Sequence, residues 1–144
     1  GSEMLKLTLR PRERVVVNGC VIRNGDRRQS LTVENRADIV RESDLLKADA
    51  QATPVSKVYF LVQTALLQAD KRDVIVPIVQ RELADLVCCF GQETQDRIMI
   101  TANYVSMGDY YKAMSELRAV LKYEAELLQL RPAVRVEPQE MARA

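Results

Sequence analysis

Arg10, Arg12, Arg14, Arg23, Arg27 and Arg28, with Lys6 and Arg41 at the margins, form the one constellation in this chain whose type and spacing point to chemistry. A guanidinium is planar and permanently charged, and its fork of donors matches a phosphate in bidentate, charge-assisted hydrogen bonds. Between residues 5 and 41, nine Lys/Arg face four acids, a local charge of +5. From Glu42 onward twelve basic residues face fifteen acids, so the formal charge of +1 hides an uneven distribution. A basic first third on a mildly acidic remainder suggests a module that faces a polyanion, carried on a scaffold with other work. The blander use of the same residues is a solvated sheet face with scattered ion pairs, and residue type alone favours it.

Catalysis lacks its usual means. The chain has no histidine, the commonest general base, and no nucleotide loop, nucleophile motif or metal-spaced carboxylate cluster. Cys20, Cys88 and Cys89 are too few and too oddly spaced for a disulfide framework or a zinc site, and are expected to be small buried hydrophobes. The acid pairs Glu42/Asp44 and Glu124/Glu126 are expected at the surface, near the ends of elements. The expectation is a protein that is not an enzyme and carries no cofactor or metal. No apolar run reaches the roughly 20 residues of a membrane span and no signal peptide precedes the first strand, which predicts a cytoplasmic protein. Gly1-Ser2-Glu3 reads as an added leader, with the natural start near Met4.

The elements that must position the arginines are β-patterned. Leu5-Lys6-Leu7-Thr8-Leu9-Arg10 alternates, which predicts Leu5, Leu7 and Leu9 inward, with Pro11 ending the strand. Lys6, Arg10, Arg12 and Arg14 share one parity and would lie on one side of an extended segment, although Pro11 breaks a strict alternation. Asn18-Gly19 between two β-branched runs is a two-residue hairpin loop that pairs Val17 with Cys20 and Arg14 with Arg23. Like charges directly opposite are unfavourable. Either Glu13 and Asp26 neutralise them, the somewhat preferred reading, or an anion binds there. Asn24-Gly25 predicts a second tight turn with Arg27 and Arg28 at its shoulder, leading to a strand with Leu31 and Val33 inward. Residues 37–40 are expected to form a last short strand.

Residues 47–52 read as a polar link. Thr53-Pro54 is a helix start, with threonine as N-cap and proline in the first helical position. Asp73 is expected to cap a second helix ending at Gly91, with Pro77 delaying or kinking it. A third is expected over 94–107 with Gly108 ending it. Asp109 is expected to cap a fourth, with Met114, Leu117, Leu121, Leu127 and Leu128 in the core, stopping before Pro132. If one face of that helix exceeds what the bundle needs, it would form a partner or homodimer groove. The predicted class is α+β: a small N-terminal antiparallel β-sheet of about four or five strands, then an antiparallel bundle of about four helices. The expected organisation is a basic β segment (1–46), a helical bundle (53–131) and a flexible tail (132–144). Aromatics able to stack on unpaired bases are missing from the β segment. Tyr59, Phe60, Tyr104, Tyr110, Tyr111 and Tyr123 fall in the helices, as core or partner-facing positions.

Several short strings, taken in order, carry a resemblance. Leu5-Lys6-Leu7-Thr8-Leu9-Arg10-Pro11, Asn24-Gly25-Asp26-Arg27-Arg28, Val33-Glu34-Asn35, Arg41-Glu42-Ser43-Asp44, Thr53-Pro54 with Tyr59-Phe60, and Tyr110-Tyr111-Lys112-Ala113 run across residues 5–124. In this order and spacing the chain resembles the FlbT family of post-transcriptional regulators of bacterial flagellum synthesis. The resemblance implies a non-enzymatic protein that binds the 5′ untranslated region of flagellin mRNA and represses translation or promotes decay. It tips the arginines towards RNA, although the choice of residues is a reading of this sequence and not of the family. The competing expectation is a protein–protein adaptor whose helices bind flagellin or a flagellar regulatory protein, with only an indirect effect on mRNA.

Overall fold

Asn18 and Gly19 both take positive φ, 50° and 81°, the backbone that a two-residue hairpin turn demands and that Asn-Gly supplies at least cost. The computed structural model describes residues 4–129. In it the loop joins β2 (Arg14–Val17) to β3 (Cys20–Arg23) in the expected register, with Val17 opposite Cys20 and Arg14 opposite Arg23. β5 (Ile39–Arg41) adds on the far side of β2, placing Val16 opposite Val40. The remaining strands, β1 (Leu5–Leu9) and β4 (Gln29–Val33), form a separate two-stranded sheet with Leu7 opposite Leu31. All pairings are antiparallel.

The two sheets are one long hairpin bent over on itself. Between Leu9↔Gln29 and Arg14↔Arg23 the first arm has residues 10–13 and the second has 24–28, one more. An unequal count is what a bulge does, and a bulge sharpens the bend. Backbone bonds continue across it, from Arg12 N to Gly25 O at 2.8 Å and from Asn24 N to Glu13 O at 2.8 Å. Asn24-Gly25 is therefore not the tight turn expected from the dipeptide. Neither residue has positive φ; that falls to Arg12 at 64° on the opposite arm.

Folding over gives the β region two apolar contacts. Leu7, Leu9 and Val15 form a small cluster between the sheets, flanked by Val17, Val33 and Ile39. Val16 and Val40, on the other face of the three-stranded sheet, belong to the main core with the helices. Leu5 and Leu31, expected inward, are about half exposed at 49% and 44%. The small cluster is too short to cover the full length of β1 and β4.

The helices are α1 (Pro54–Leu67), α2 (Arg72–Val87), α3 (Gln92–Ser106) and α4 (Tyr110–Leu127). Thr53 caps α1 as expected, in a reciprocal box with Ser56. α2 starts at Arg72 after a 3₁₀ turn over Ala69–Lys71, not on an Asp73 cap. It runs through Pro77, forfeiting one backbone bond. Gly91 is not its C′ residue but the N-cap of α3, whose own end is marked by Gly108 at φ 76°. The Asp109 side chain accepts from Lys112 N and caps α4. Met114 and Leu117 are buried as expected, whereas Leu127 and Leu128 are more than half exposed. Cys20, Cys88 and Cys89 are all exposed, not buried, so none contributes to the core. No helix among the described residues is long and apolar enough to cross a membrane. The predicted flexible tail, 132–144, lies outside the described residues.

Glu124, expected at the surface, is 6% exposed. Its carboxylate accepts from Thr53 Oγ1 and from Val55 N, so α4 supplies a negative group to the N-terminus of α1. Removing one partner strands buried donors at a cost of about 1–3 kcal/mol. Glu124→Ala is expected to lower unfolding stability by roughly 2 kcal/mol in urea titrations. An unchanged midpoint would show that α4 does not brace α1 through this residue.

Candidate nucleic-acid interface

The bend between the two sheets gathers the arginines. Asn24 Nδ2 donates to Arg10 O at 2.8 Å, to Arg27 O at 2.9 Å and to Leu9 O at 3.3 Å, so one side chain ties both arms together. Arg23 Nη1 donates to Arg12 O at 2.7 Å. Arg10, Arg12, Arg23 and Arg27 are thus neighbours through their backbones, and Arg28 follows directly. Lys6 lies further along β1, on the face where Thr8 and Ser30 share a hydroxyl hydrogen bond of 3.3 Å and Thr32 stands opposite Lys6. This is the polar face of the outer sheet.

Carboxylates sort the bases into two groups. Glu13, 4% exposed, accepts from Arg10 N at 2.8 Å and from Arg41 Nη2 at 3.0 Å, with Arg10 Nε at 3.5 Å. Arg41 also donates to Thr8 O at 3.0 Å, and its buried Nε has no partner. Glu42 accepts from Arg14 N at 3.1 Å and from Arg14 Nε at 3.3 Å. Of the facing pair Arg14/Arg23 only Arg14 is neutralised, by Glu42; Glu13 and Asp26, the expected neutralisers, pair with other arginines, and Arg23 donates to the Arg12 carbonyl. Asp26 lies 3.7 Å from Arg12 Nη1, between exposed side chains, an arrangement worth little. Lys6, Arg23, Arg27 and Arg28 make no ion pair among the described residues. The shared parity of residues 6, 10, 12 and 14 does not survive the bend, because Arg12 turns the chain there.

Hydrogen bonding lowers two carboxyl groups from their ordinary value of 4.5. For Glu13 the Arg10 backbone N–H is the main cause and Arg41 the second, outweighing burial; for Glu42 it is the Arg14 backbone N–H. Sequence reasoning overlooked Glu13 as a buried hub. The signal available was an acid flanked by arginines beside a proline-interrupted strand.

Residues 5–128 match the family model described as flagellar protein FlbT. The chain belongs to the FlbT family. A Rhodopseudomonas palustris relative (strain TIE-1) named probable flagellum biosynthesis repressor protein FlbT is 37% identical over 127 residues, covering 86% of this chain and 97% of that protein. The Caulobacter vibrioides flagellum biosynthesis repressor protein FlbT (strain ATCC 19089) is 34% identical over 126 residues, covering 86% and 89%. A Caulobacter sp. K31 relative, also named a probable repressor, is 30% identical over 125 residues, covering 86% and 95%. No solved structure matches the chain.

The lowered carboxyl groups have a defined pH consequence. Their stabilisation is fully present above about pH 4.5 and is lost as pH falls through their lower folded-state values. Urea stability should therefore hold level from pH 7 to about 5 and decline below 4.5, with Glu13→Gln flattening that decline. Arg12 in left-handed backbone gives a second expectation. Arg12→Gly relieves the conformational cost and keeps both backbone bonds, so stability should rise by about 0.5–1 kcal/mol. Equal or lower stability in thermal unfolding would show that the Arg12 side chain contributes more than its backbone costs.

Proposed function

We propose that this protein represses flagellum biosynthesis by binding the 5′ untranslated region of a flagellin mRNA through the bend of its β-hairpin, blocking translation or promoting decay. The observation that carries this reading is the sorting of charge. Arg14 and Arg41 are held by Glu42 and Glu13, while Arg23, Arg27 and Arg28 at the bend, and Lys6 further along β1, are exposed and have no carboxylate partner among the described residues. A protein holding only structural ion pairs would have little use for uncompensated arginines at a bend, where their mutual repulsion is unfavourable. Arg10 and Arg12 flank them, and the Thr8, Ser30 and Thr32 hydroxyls beside Lys6 add donors for phosphate or sugar oxygens. The repressor name carried by the curated relatives agrees with the coarser part of this reading.

A second reading, a protein-binding adaptor, is favoured by one feature: Tyr123, Leu127 and Leu128 are exposed on the last turns of α4. The two readings separate in a single titration. Binding of a labelled flagellin leader should fall with salt at a log–log slope of about −3 if four or five phosphates are contacted on single-stranded RNA. Changing Arg27 and Arg28 to glutamate should weaken binding at least tenfold and make the slope shallower by about 1.4, the share of two phosphates. Equal binding to an unrelated leader, or no binding, would move the function to the helical surface. In that case Leu127→Glu should abolish repression in cells while the arginine changes leave it intact.

A further inference from the structure

The arginine corner has no aromatic ring of its own, but the opposite end of the β2–β3 hairpin meets two. The Asn18-Gly19 loop packs against the end of α1, near Leu66 O. Beside it opens a cleft of about 400 Å³ lined by Asn18, Asp38, Arg72, Met107, Tyr110 and Tyr111, among others. That is within the size range of small-ligand sites. A further cleft of about 620 Å³ adjoins it through the shared Arg72, Met107 and Tyr110. The helices thus bring two tyrosines to the hairpin loop, the buried Tyr110 beneath the Arg72 guanidinium and the partly buried Tyr111.

The lining has a definite chemistry. Arg72 is locked: Nε donates to Ala65 O at 2.6 Å, Nη2 donates to Leu66 O at 3.2 Å, and the guanidinium lies 4.8 Å over the Tyr110 ring. Asn18 and Asp38 are fixed to each other through Asn18 N to Asp38 O and Asp38 N to Asn18 Oδ1, each 2.8 Å. Those bonds use the Asp38 backbone alone. Its carboxylate has no hydrogen bond or ion pair among the described residues, and neither does the Tyr111 hydroxyl. Asp109, the other acid on the wall, is occupied by Lys112 N and Nζ. A free carboxylate repels phosphate but accepts from an edge that offers paired donors. Among the bases guanine presents such an edge, N1–H beside its 2-amino group. Its ring face would meet the exposed Met107 and the part of Tyr111 that the main core leaves uncovered.

We propose that this cleft receives one unpaired guanine of the bound RNA, stacked against Tyr111 and read through its Watson–Crick edge by the Asp38 carboxylate. The proposal rests on the RNA reading above and extends it from phosphate attraction to base selection. β2 separates the cleft from the arginine corner by roughly 14 Å, four residues of strand, a length that a few extended nucleotides cover.

The test uses the full chain and unstructured eight-nucleotide uridine-rich RNAs carrying one central guanine, inosine or adenine, with affinity read by fluorescence anisotropy. The guanine oligomer should bind about tenfold more tightly than the adenine one, with inosine between, as loss of one of two donors requires. Asp38→Asn should erase that preference, Tyr111→Ala should weaken the guanine and adenine oligomers alike because a ring stacks on either base, and Tyr111→Phe should keep both affinity and preference. Changing Arg27 and Arg28 to glutamate should weaken all three oligomers alike. A guanine preference that survives Asp38→Asn, or no preference beside salt-dependent binding lost with Arg27 and Arg28, overturns the cleft and leaves the RNA reading standing. Failure of every oligomer and of the flagellin leader overturns both. If Tyr111→Ala leaves all RNA affinities unchanged but abolishes binding to purified flagellin, the cleft is a protein-docking site and the proposal is wrong.

Discussion

The Glu13 carboxylate holds the β region in its folded-over shape. At the bend, backbone N–H groups leave one sheet before entering the other, and a buried donor without a partner is costly. Glu13 answers this by accepting from Arg10 N while its second oxygen takes Arg41 Nη2. Arg41 in turn donates to Thr8 O. One carboxylate and one guanidinium therefore join β1, the bend and β5. Without them the outer sheet would be attached by little more than Leu7, Leu9 and Val15, and a two-stranded ribbon of that size is marginal in water.

This arrangement also explains how a positively charged segment folds at all. Two of its arginines are consumed as struts, Arg41 on Glu13 and Arg14 on Glu42. Ion pairs of this kind are weak support for stability, because solvent screens the part-exposed Arg14–Glu42 pair and desolvation of Glu13 offsets much of its attraction to Arg41. Here their value is geometric, since the carboxylates also accept backbone donors that the bend would otherwise strand. The remaining positive charge is left on the outside of the corner, where solvent screens the repulsion.

Element types were legible in the sequence, and so were the places where one residue decides the backbone. Asn18-Gly19 fixed the inner hairpin and its register, Thr53-Pro54 and Asp109 marked helix starts, and the arginine-rich third stood apart by charge. Each is a local signal. What could not be read was set by distant contacts. Asn24-Gly25 has the composition of a turn, yet its Asn side chain bonds three carbonyls across the bend and the chain there stays out of positive φ. Glu124 is indistinguishable by pattern from Glu126, but only one lies beneath the α1 N-terminus. The same limit applies to the interface. The arginines were visible by type, whereas the separation of struts from free charges required knowing where Glu13 and Glu42 fall. The meeting of Asp38 with Tyr111 required the tertiary fold.

The corner is braced from behind as a fixed surface. Arg14 bonds Glu42 at the start of a 3₁₀ turn over Glu42–Asp44. The carbonyl of Asp44 accepts from the buried Tyr59 hydroxyl at 2.6 Å, and Arg118 Nη1 on α4 donates to the same hydroxyl at 3.2 Å. The backbone carrying the free arginines is thus linked to α1 and α4, and little of it would need ordering when a ligand arrives. The side chains of Lys6, Arg27 and Arg28 remain to be ordered, at about 0.5–1.5 kcal/mol each. A hydrogen bond to a charged group returns about 1.5–3 kcal/mol, so each contact is favourable by only a narrow margin. Strong binding to such a surface has to come from several contacts at once, and it weakens steeply with salt. Selectivity has to come from elsewhere, because phosphates carry no sequence. A rigid scaffold that holds a free carboxylate and a tyrosine ring a strand's length from the charged corner has the two components that division requires.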